Sequence, residues 1–175
     1  LEVGDHAELA KTWNVRRREE LDVREQRPRV AGAVGGARRC ESVELTNVRC
    51  FAERLDAPLE VAGLGTLPVD VAYGGMWYAI ADAAELGFAI EPHEARDLSL
   101  VGERIRAAAR EQLPCEHPEN PSIAGVSIVQ IAEPWQGVGA VSRNAVVVAP
   151  GRLDRSATGT GLSARMAALN ARGSM

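Results

Sequence analysis

The chain has 175 residues, of which 46% are hydrophobic and 25% are charged, as is usual for a soluble globular protein. Its formal net charge of -4 argues against a general binder of nucleic acids or membrane surfaces, because such proteins concentrate basic residues on one face. No apolar run approaches the roughly 20 residues that span a bilayer, and residues 1–20 lack the apolar core of a signal peptide, so we expect a cytoplasmic protein.

The cysteines and histidines show no spacing typical of disulfide frameworks or zinc sites. Cys40, Cys50 and Cys115 form an odd number without Cys-x-x-Cys spacing, and the histidines are scattered with no His-x-x-x-His pair. We therefore expect neither a disulfide framework nor a structural zinc site.

Residues 1–40 differ in composition from the rest of the chain. Charges alternate in sign through residues 16–29, which favours a polar helix or a disordered tail, and the run AGAVGGA at residues 31–37 is typical of a flexible link. The sequence therefore predicts a divergent polar segment over residues 1–40 and a folded region over residues 41–175.

The folded region begins with strand patterns. Val43, Leu45 and Val48 start a β-branched, alternating stretch. Residues 59–61 and 67–71 flank the glycine turn 63–65 and predict a hairpin. A strand-like run over residues 73–80 contains paired glycines, which indicate a bulge or a close backbone approach.

The clearest helix follows. It is predicted to begin near Pro92 and to end at Pro114, with one apolar face. That face contains Ala95, Leu98, Val101, Ile105 and either Ala108 or Ala109. Residues 123–131 and 145–148 predict buried strands, and residues 162–171 predict a helix that buries Met166 and Leu169. The order of elements predicts an α+β fold with a largely antiparallel sheet.

The stretch that points to chemistry is residues 150–165, with the sequence PGRLDRSATGTGLSAR. A buried strand runs into a polar turn, and Thr158, Gly159, Thr160 and Gly161 then open the last helix. The first N–H groups of a helix lack internal acceptors and lie at its positive end, so this position suits an anion such as a carboxylate. The alternative is that these glycines only form a turn.

This stretch resembles the proline racemase family, whose motif is close to GRLDRSP[C/T]GTGTSAR. Further similar segments occur in the family's order over residues 41–173. They are ELTNV at 44–48, VAGLG at 61–65, DVAYGG at 70–75, GERI at 102–105, HPENP at 117–121 and RNAVVV at 143–148.

The resemblance implies a diaminopimelate-epimerase-like fold of two similar halves, each a curved, mostly antiparallel sheet around a central helix. Substrate is held between the opposed N-termini of the two central helices, each of which carries one catalytic residue. One of these residues removes the Cα proton, and in racemases the other supplies a proton from the far side. The family uses no metal and no organic cofactor, so we expect none here.

The resemblance also implies roles for individual residues. Thr158 stands at the position of the second catalytic residue, and its hydroxyl is a poor base near neutral pH, as in the family's trans-3-hydroxy-L-proline dehydratases. Asp154 would bind the substrate amino group, and the N–H groups of Gly159 and Thr160 would hold its carboxylate. Asp154 could alternatively be only a turn residue.

Two departures from the family pattern lie in the motif, and a larger one lies outside it. Ala157 replaces the usual proline and Leu162 the usual threonine. The family's first catalytic motif, Met-[Cys/Ser]-Gly-His, does not occur in the sequence, and none of the three cysteines is followed by Gly-His. We therefore expect a partial chain, truncated at its C-terminus, that contains mainly the second catalytic half.

Three functions stay open from the sequence. The leading one is dehydration of trans-3-hydroxy-L-proline; the others are a proline racemase or 4-hydroxyproline 2-epimerase, and an inactive fragment. The expected partner is a small-molecule substrate, proline or hydroxyproline, with neither nucleic acid nor membrane, and a homodimer is left open. We expect Asp154, Thr158, Gly159 and Thr160 to cluster at the start of the last helix, in a site open to solvent.

Overall fold

The structure is a computed structural model that describes residues 29–30, 43–44, 47–137 and 141–174. The chain divides into two compact units, Leu1–Arg49 and Cys50–Met175. In the first unit, strand β1 (Arg29–Val30) pairs antiparallel with β2 (Val43–Glu44). Most of the polar segment predicted over residues 1–40, including Cys40, lies outside the described residues, as does Leu45.

The second unit contains a six-stranded sheet, a small hairpin and helices. The strands are β3 (Phe51–Val61), β4 (Gly65–Tyr73), β5 (Trp77–Asp82), β6 (Glu116–His117), β7 (Asn120–Ala124), β8 (Ile128–Ala132), β9 (Asn144–Val148) and β10 (Arg152–Leu153). The helices are a 3₁₀ turn (Pro92–Glu94), α1 (Ala95–Gln112) and α2 (Gly159–Ala171). The large sheet has the order β10-β9-β8-β5-β4-β3, and β6 pairs with β7.

All neighbouring strands of the large sheet are antiparallel except β5 and β8, which run parallel. The parallel pair needs a crossover, and α1 lies within that connection. The predicted α+β class and largely antiparallel sheet are therefore confirmed.

The glycine-rich turns decide where the strands reverse. The predicted hairpin is present, since β3 and β4 pair from Phe51↔Tyr73 to Val61↔Gly65. The run over residues 73–80 is not one strand: Gly74 and Gly75 lie in the turn between β4 and β5, where Gly75 has φ 110°. Residues 123–131 likewise form two strands, because the chain breaks near Gly125, which has φ 77°.

Helix α1 packs on the sheet with a narrower buried face than the sequence predicted. Its buried residues are Leu98, Gly102, Ile105 and Ala109, whereas Val101 is only half-buried. A β-carbon at position 102 would lie 2.8 Å from Cβ of Val147. Glycine at this position therefore lets the helix approach the sheet closely.

Helix α2 lies on the opposite face of the sheet. Val147 faces α1 at Gly102, whereas its neighbour Val146 belongs to a core cluster with Ala164 and Ala168 of α2. Successive residues of a strand point to opposite faces, so the two helices sandwich the sheet. The prediction that Met166 and Leu169 bury α2 against the sheet is wrong, since both are half-buried and the small residues Gly161, Ala164 and Ala168 face inward.

Arg172 fastens the last turn of α2 to the far end of the sheet. Its guanidinium donates to Asp56 at 2.7 and 2.9 Å and to Asp70 at 2.5 Å. Asp56 lies at an irregularity of β3 with φ 51°, and its N–H donates to Asp70 Oδ1 at 3.0 Å. We call these three residues the Arg172 clamp.

Candidate active site

A short hairpin delivers Asp154 to the start of helix α2. Strand β9 turns at Gly151, which has φ 90°, and returns as β10. The N–H of Asp154 then donates to the carbonyl of Val146 at 2.8 Å. Asp154 is thereby held at the edge of the sheet, five residues before the helix begins at Gly159.

The loop between Asp154 and the helix is closed by its own polar groups. Asp154 Oδ1 accepts from the N–H of Ser156 at 2.8 Å, and Oδ2 accepts from the hydroxyl of Thr158 at 3.3 Å. The N–H of Thr158 donates to Ser156 Oγ at 3.1 Å. The structure thus brings Asp154 and Thr158 together at the start of α2, as the sequence predicted.

Thr158 precedes the helix in an uncommon conformation. Its backbone is left-handed, with φ 45° and ψ 61°, and its side chain makes no capping hydrogen bond. The N–H of Leu162 reaches the carbonyl of Thr158 at 2.9 Å, but the N–H groups of Gly159, Thr160 and Gly161 have no acceptor among the residues that the structure describes. These three donors are available to an anion.

The site is less open than the sequence suggested. Thr158 is only 9% exposed, and Gly159, Thr160 and Asp154 are half-buried. The hydroxyl of Thr158 is occupied by Asp154 and by the carbonyl of Ser156 at 3.4 Å.

Asp154 is held in its charged form. Partial burial raises the pKa of its carboxyl, but hydrogen bonds from the N–H and side chain of Ser156 and from Thr158, with the charge of Arg152, outweigh burial and hold the pKa below its usual value of 3.8. The loop therefore presents a negative charge beside three N–H donors that lack an acceptor in the described part of the chain.

Tyr78 is a site residue that the sequence reasoning missed. It lies in β5, is 1% exposed, and its hydroxyl is 2.7 Å from Oγ1 of Thr160. A β-carbon at position 161 would lie 3.2 Å from Cε1 of Tyr78 and 2.8 Å from Cγ2 of Thr158. Gly161 therefore leaves room for the tyrosine ring, and the only sequence signal was the position of Tyr78 in a strand after the paired glycines.

The paired glycines themselves explain how α2 reaches the sheet. A β-carbon at position 74 would overlap the carbonyl oxygen of Thr160 and would lie 2.5 Å from the backbone nitrogen of Ala164. The close backbone approach predicted for these glycines is confirmed, and it places the first turn of α2 against the β4–β5 turn.

The remaining reactive residues lie elsewhere. Cys115 is 5% exposed, and burial raises the pKa of its thiol, which suits a structural cysteine. His117 packs edge-on against Tyr73, with ring centroids 4.7 Å apart. No group of three or more potential metal ligands occurs within the described part of the chain.

A cavity of about 320 Å³ lies near the other end of α2. Its lining includes Asp82, Glu133, Trp135 and Arg165, together with the Arg172 clamp, and none of the predicted site residues. Among the described residues, neither helix is long and apolar enough to cross a membrane.

Comparisons with known proteins identify the family. The family model for proline racemase matches residues 29–175. A probable proline racemase from Agrobacterium radiobacter K84, solved with bound carbonate, is 36% identical, with a TM-score of 0.73 over 78% of this chain and 40% of its own. A hydroxyproline epimerase from Agrobacterium vitis, solved with bound trans-4-hydroxy-L-proline, is 38% identical, with a TM-score of 0.72 over 78% of this chain and 39% of its own.

The extent of these matches decides the family of the chain. It spans about 40% of the length of these solved relatives. The family model covers well over half of the chain, and the fold agrees with that of the relatives. The chain belongs to the proline racemase family.

Proposed function

We propose that the chain supplies one wall of an active site that dehydrates trans-3-hydroxy-L-proline. The observation that carries this proposal is the state of Thr158. It stands where the family's second catalytic residue is expected, yet its buried hydroxyl donates to Asp154 and has no proton-transfer pKa near neutrality. This side of the site therefore holds substrate without exchanging a proton at Cα.

The substrate is held by charge at both ends of its amino-acid group. The Asp154 carboxylate binds the ring ammonium, and the N–H groups of Gly159 and Thr160 bind the carboxylate. The support for these roles is the lowered pKa of Asp154 and the absence of acceptors for the two N–H groups in the described residues. The positive end of the α2 dipole strengthens the hold on the carboxylate.

The reaction needs one base, on the opposite side of the ring. That base removes the Cα proton, and the electron pair of the broken C–H bond forms a double bond between Cα and Cβ. The bond from Cβ to the 3-hydroxyl oxygen breaks, and the hydroxyl leaves as water with the proton that the base removed. In the family the base belongs to the Met-[Cys/Ser]-Gly-His motif, which this sequence does not contain.

A second candidate is epimerisation of hydroxyproline, and it is favoured by the relative from Agrobacterium vitis, which is an epimerase at 38% identity. Inversion needs a base on one face of the ring and an acid on the other, because one proton leaves Cα and another must arrive from the opposite side. Thr158 does not supply one. The two functions therefore differ at this single position.

The test is a chimera that supplies the half of the active site with the Met-[Cys/Ser]-Gly-His motif. Residues 50–175 of this chain replace the aligned segment of the Agrobacterium vitis epimerase, and the product is incubated in deuterated solvent. We expect trans-3-hydroxy-L-proline to lose water, while trans-4-hydroxy-L-proline and L-proline keep their configuration. Mass spectrometry and chiral chromatography measure the two results.

The unmodified epimerase is the control for folding and assay, and it must invert trans-4-hydroxy-L-proline. Inversion by the chimera, with deuterium at Cα, would replace the dehydratase proposal by the epimerase. A folded chimera that binds trans-3-hydroxy-L-proline without converting it would remove the catalytic proposal altogether.

A further inference from the structure

A buried hydroxyl from the sheet contacts the first turn of α2. Tyr78 is 1% exposed, and its oxygen lies 2.7 Å from Thr160 Oγ1. Thr160 is the second residue of the helix and carries one of the three N–H groups that lack an acceptor in the described chain. The side chain of Thr160 is thus bound to Tyr78, which leaves its N–H as the group available to a ligand.

The ring of Tyr78 has no freedom to turn aside. Gly161 packs over it, and a β-carbon there would lie 3.2 and 3.4 Å from two of its ring atoms. Gly74 brings the β4–β5 turn against the carbonyl of Thr160 and the nitrogen of Ala164. The first turn is therefore fixed by two contacts, one through backbone at Gly74 and one through the Tyr78 hydroxyl.

We infer that Tyr78 is a positioning residue, whose hydroxyl holds Thr160 so that the first N–H groups of α2 converge on a carboxylate. This inference rests on the proposed function, in which those N–H groups bind the substrate carboxylate. Tyr78 does not touch substrate in this arrangement. It acts through the Thr160 hydroxyl alone.

The electrostatics of Tyr78 agree with this role. Burial raises the pKa of its phenol and outweighs the lowering by the hydrogen bond to Thr160, while the negative charge of Asp154 adds a smaller raise. At neutral pH the phenol is therefore neutral while Asp154 is charged. A neutral phenol can keep a hydrogen bond to Thr160, whereas a phenolate would repel the incoming carboxylate.

The test measures acetate binding to the full chain, which does not depend on any turnover. Sodium acetate is titrated at constant ionic strength, and the backbone amide signals of Gly159, Thr160 and Gly161 are followed by ¹⁵N NMR. Tyr78→Phe, Thr160→Val and the double variant each remove hydroxyls with little change of shape. Tyr73→Phe is the matched control, since Tyr73 is 4% exposed and its ring packs against Phe51, Trp77 and His117.

We expect Tyr78→Phe to weaken acetate binding about three- to tenfold, the factor that corresponds to one lost hydrogen bond. Thr160→Val should weaken it equally, and the double variant should be no weaker than either single variant, because both remove the same contact. Tyr73→Phe should bind as the unmodified chain does. A Tyr78 with only a structural role would lower stability without changing the acetate constant.

The inference is overturned if acetate does not shift these amides in the unmodified chain, if Tyr78→Phe binds acetate as tightly, or if the two losses add in the double variant. The proposed function fails separately, when the chimera described above does not dehydrate trans-3-hydroxy-L-proline although acetate binding follows the expected pattern.

Discussion

Thr158 has a left-handed backbone conformation, and its hydroxyl donates a hydrogen bond to Asp154 within the loop. A β-branched residue with φ 45° is uncommon and costs conformational energy, so the helix start is held by the contacts around it. Those contacts are the carboxylate of Asp154, the side chain of Ser156 and the close approach of Gly161. These contacts hold Thr158 in a position where its hydroxyl donates to Asp154.

Replacing Thr158 by cysteine should change the outcome of the reaction. In the chimera, Thr158→Cys puts a thiol at the helix N-terminus, where the dipole lowers its pKa, although Asp154 opposes this. We expect the rate of Cα inversion of trans-4-hydroxy-L-proline to rise by about a hundredfold or more, the usual gain from a positioned acid or base. Thr158→Ser, which keeps a hydroxyl, should not invert, and inversion by the serine variant would contradict the assignment.

Ligand binding should depend on pH through Asp154. Its folded pKa lies below the ordinary value of 3.8, so the carboxylate is charged at neutral pH and its contribution is lost only as pH falls through the folded pKa. We expect the affinity of the full chain for trans-3-hydroxy-L-proline to be constant from about pH 7 to 5 and to fall below about pH 4.

Asp154→Asn should weaken that affinity by about tenfold or more, since it removes one charge of an ion pair. Asp97→Asn, an exposed change in α1, is the matched control. Calorimetric titration gives both constants, and equal affinities for the two variants would remove Asp154 from the site.

At the scale of elements, the packing of helix on sheet depends on glycines, because their lack of a side chain lets each helix approach the sheet. Gly74 and Gly102 each allow one helix to approach the sheet, but they meet different atoms. The three atoms nearest to a β-carbon at 102 belong to the Val147 side chain, whereas the three nearest to one at 74 belong to the backbone of α2. Backbone in a packed helix moves less readily than a side chain.

Gly74→Ala should therefore lower the free energy of unfolding by about 3 kcal/mol, at the upper end of the usual cost of overpacking. Gly65→Ala is the comparison, because a β-carbon there has no neighbour within 4 Å and only the φ of 82° opposes it. We expect it to cost roughly 1–2 kcal/mol. Urea denaturation measures both, and a Gly74 variant no less stable than the Gly65 variant would contradict the close approach.

These contacts also show what sequence patterns can predict. Hydrophobic period and turn residues indicated the β3–β4 hairpin, helix α1 and the start of a helix after Thr158, because each depends on neighbours in the chain. The sequence predicted the wrong buried face for α2. The close approach at Gly74 leaves room for small residues such as Ala164 and Ala168 between helix and sheet, but not for Met166 and Leu169. The contact of Tyr78 with Thr160 joins residues from β5 and α2, and no local pattern encodes it.

At the scale of the whole second unit, the Arg172 clamp joins the end of α2 to β3 and β4. Its partners differ in exposure, since the Asp56 side chain is 64% exposed and that of Asp70 is 14% exposed. The hydrogen bond from Arg172 lowers the pKa of Asp56 and, with the charge of Arg172, outweighs the raise caused by burial. The clamp therefore stabilises the fold above the ordinary pKa of aspartate and loses this contribution as pH falls through the lowered value.

Arg172→Met, which keeps the length of the side chain, should lower the free energy of unfolding by about 1 kcal/mol at neutral pH, since the pairs are partly screened. The difference from the unmodified chain should shrink in molar salt and below about pH 3.5. Arg110→Met is the control, because Arg110 has no ion pair in the described part of the chain. A loss unaffected by salt and pH would indicate that packing of the side chain, rather than its charge, stabilises the fold.

The single parallel pairing has a consequence for the order of folding. Strands β3 to β5 form one meander joined by short turns, and β8 to β10 form another in which residues 133–143 connect β8 to β9, so both can form from contacts closer in sequence than the β5–β8 pair. They meet only where β5 pairs with β8, across a connection that includes α1. Closing that long loop is the costly step, so the transition state should contain this junction. Val129→Ala, within this junction, should then slow folding, whereas Val61→Ala, at the distant hairpin turn, should mainly speed unfolding. Stopped-flow kinetics distinguish the two, and a Val129 variant that changes only the unfolding rate would mean that the two meanders join after the barrier has been crossed.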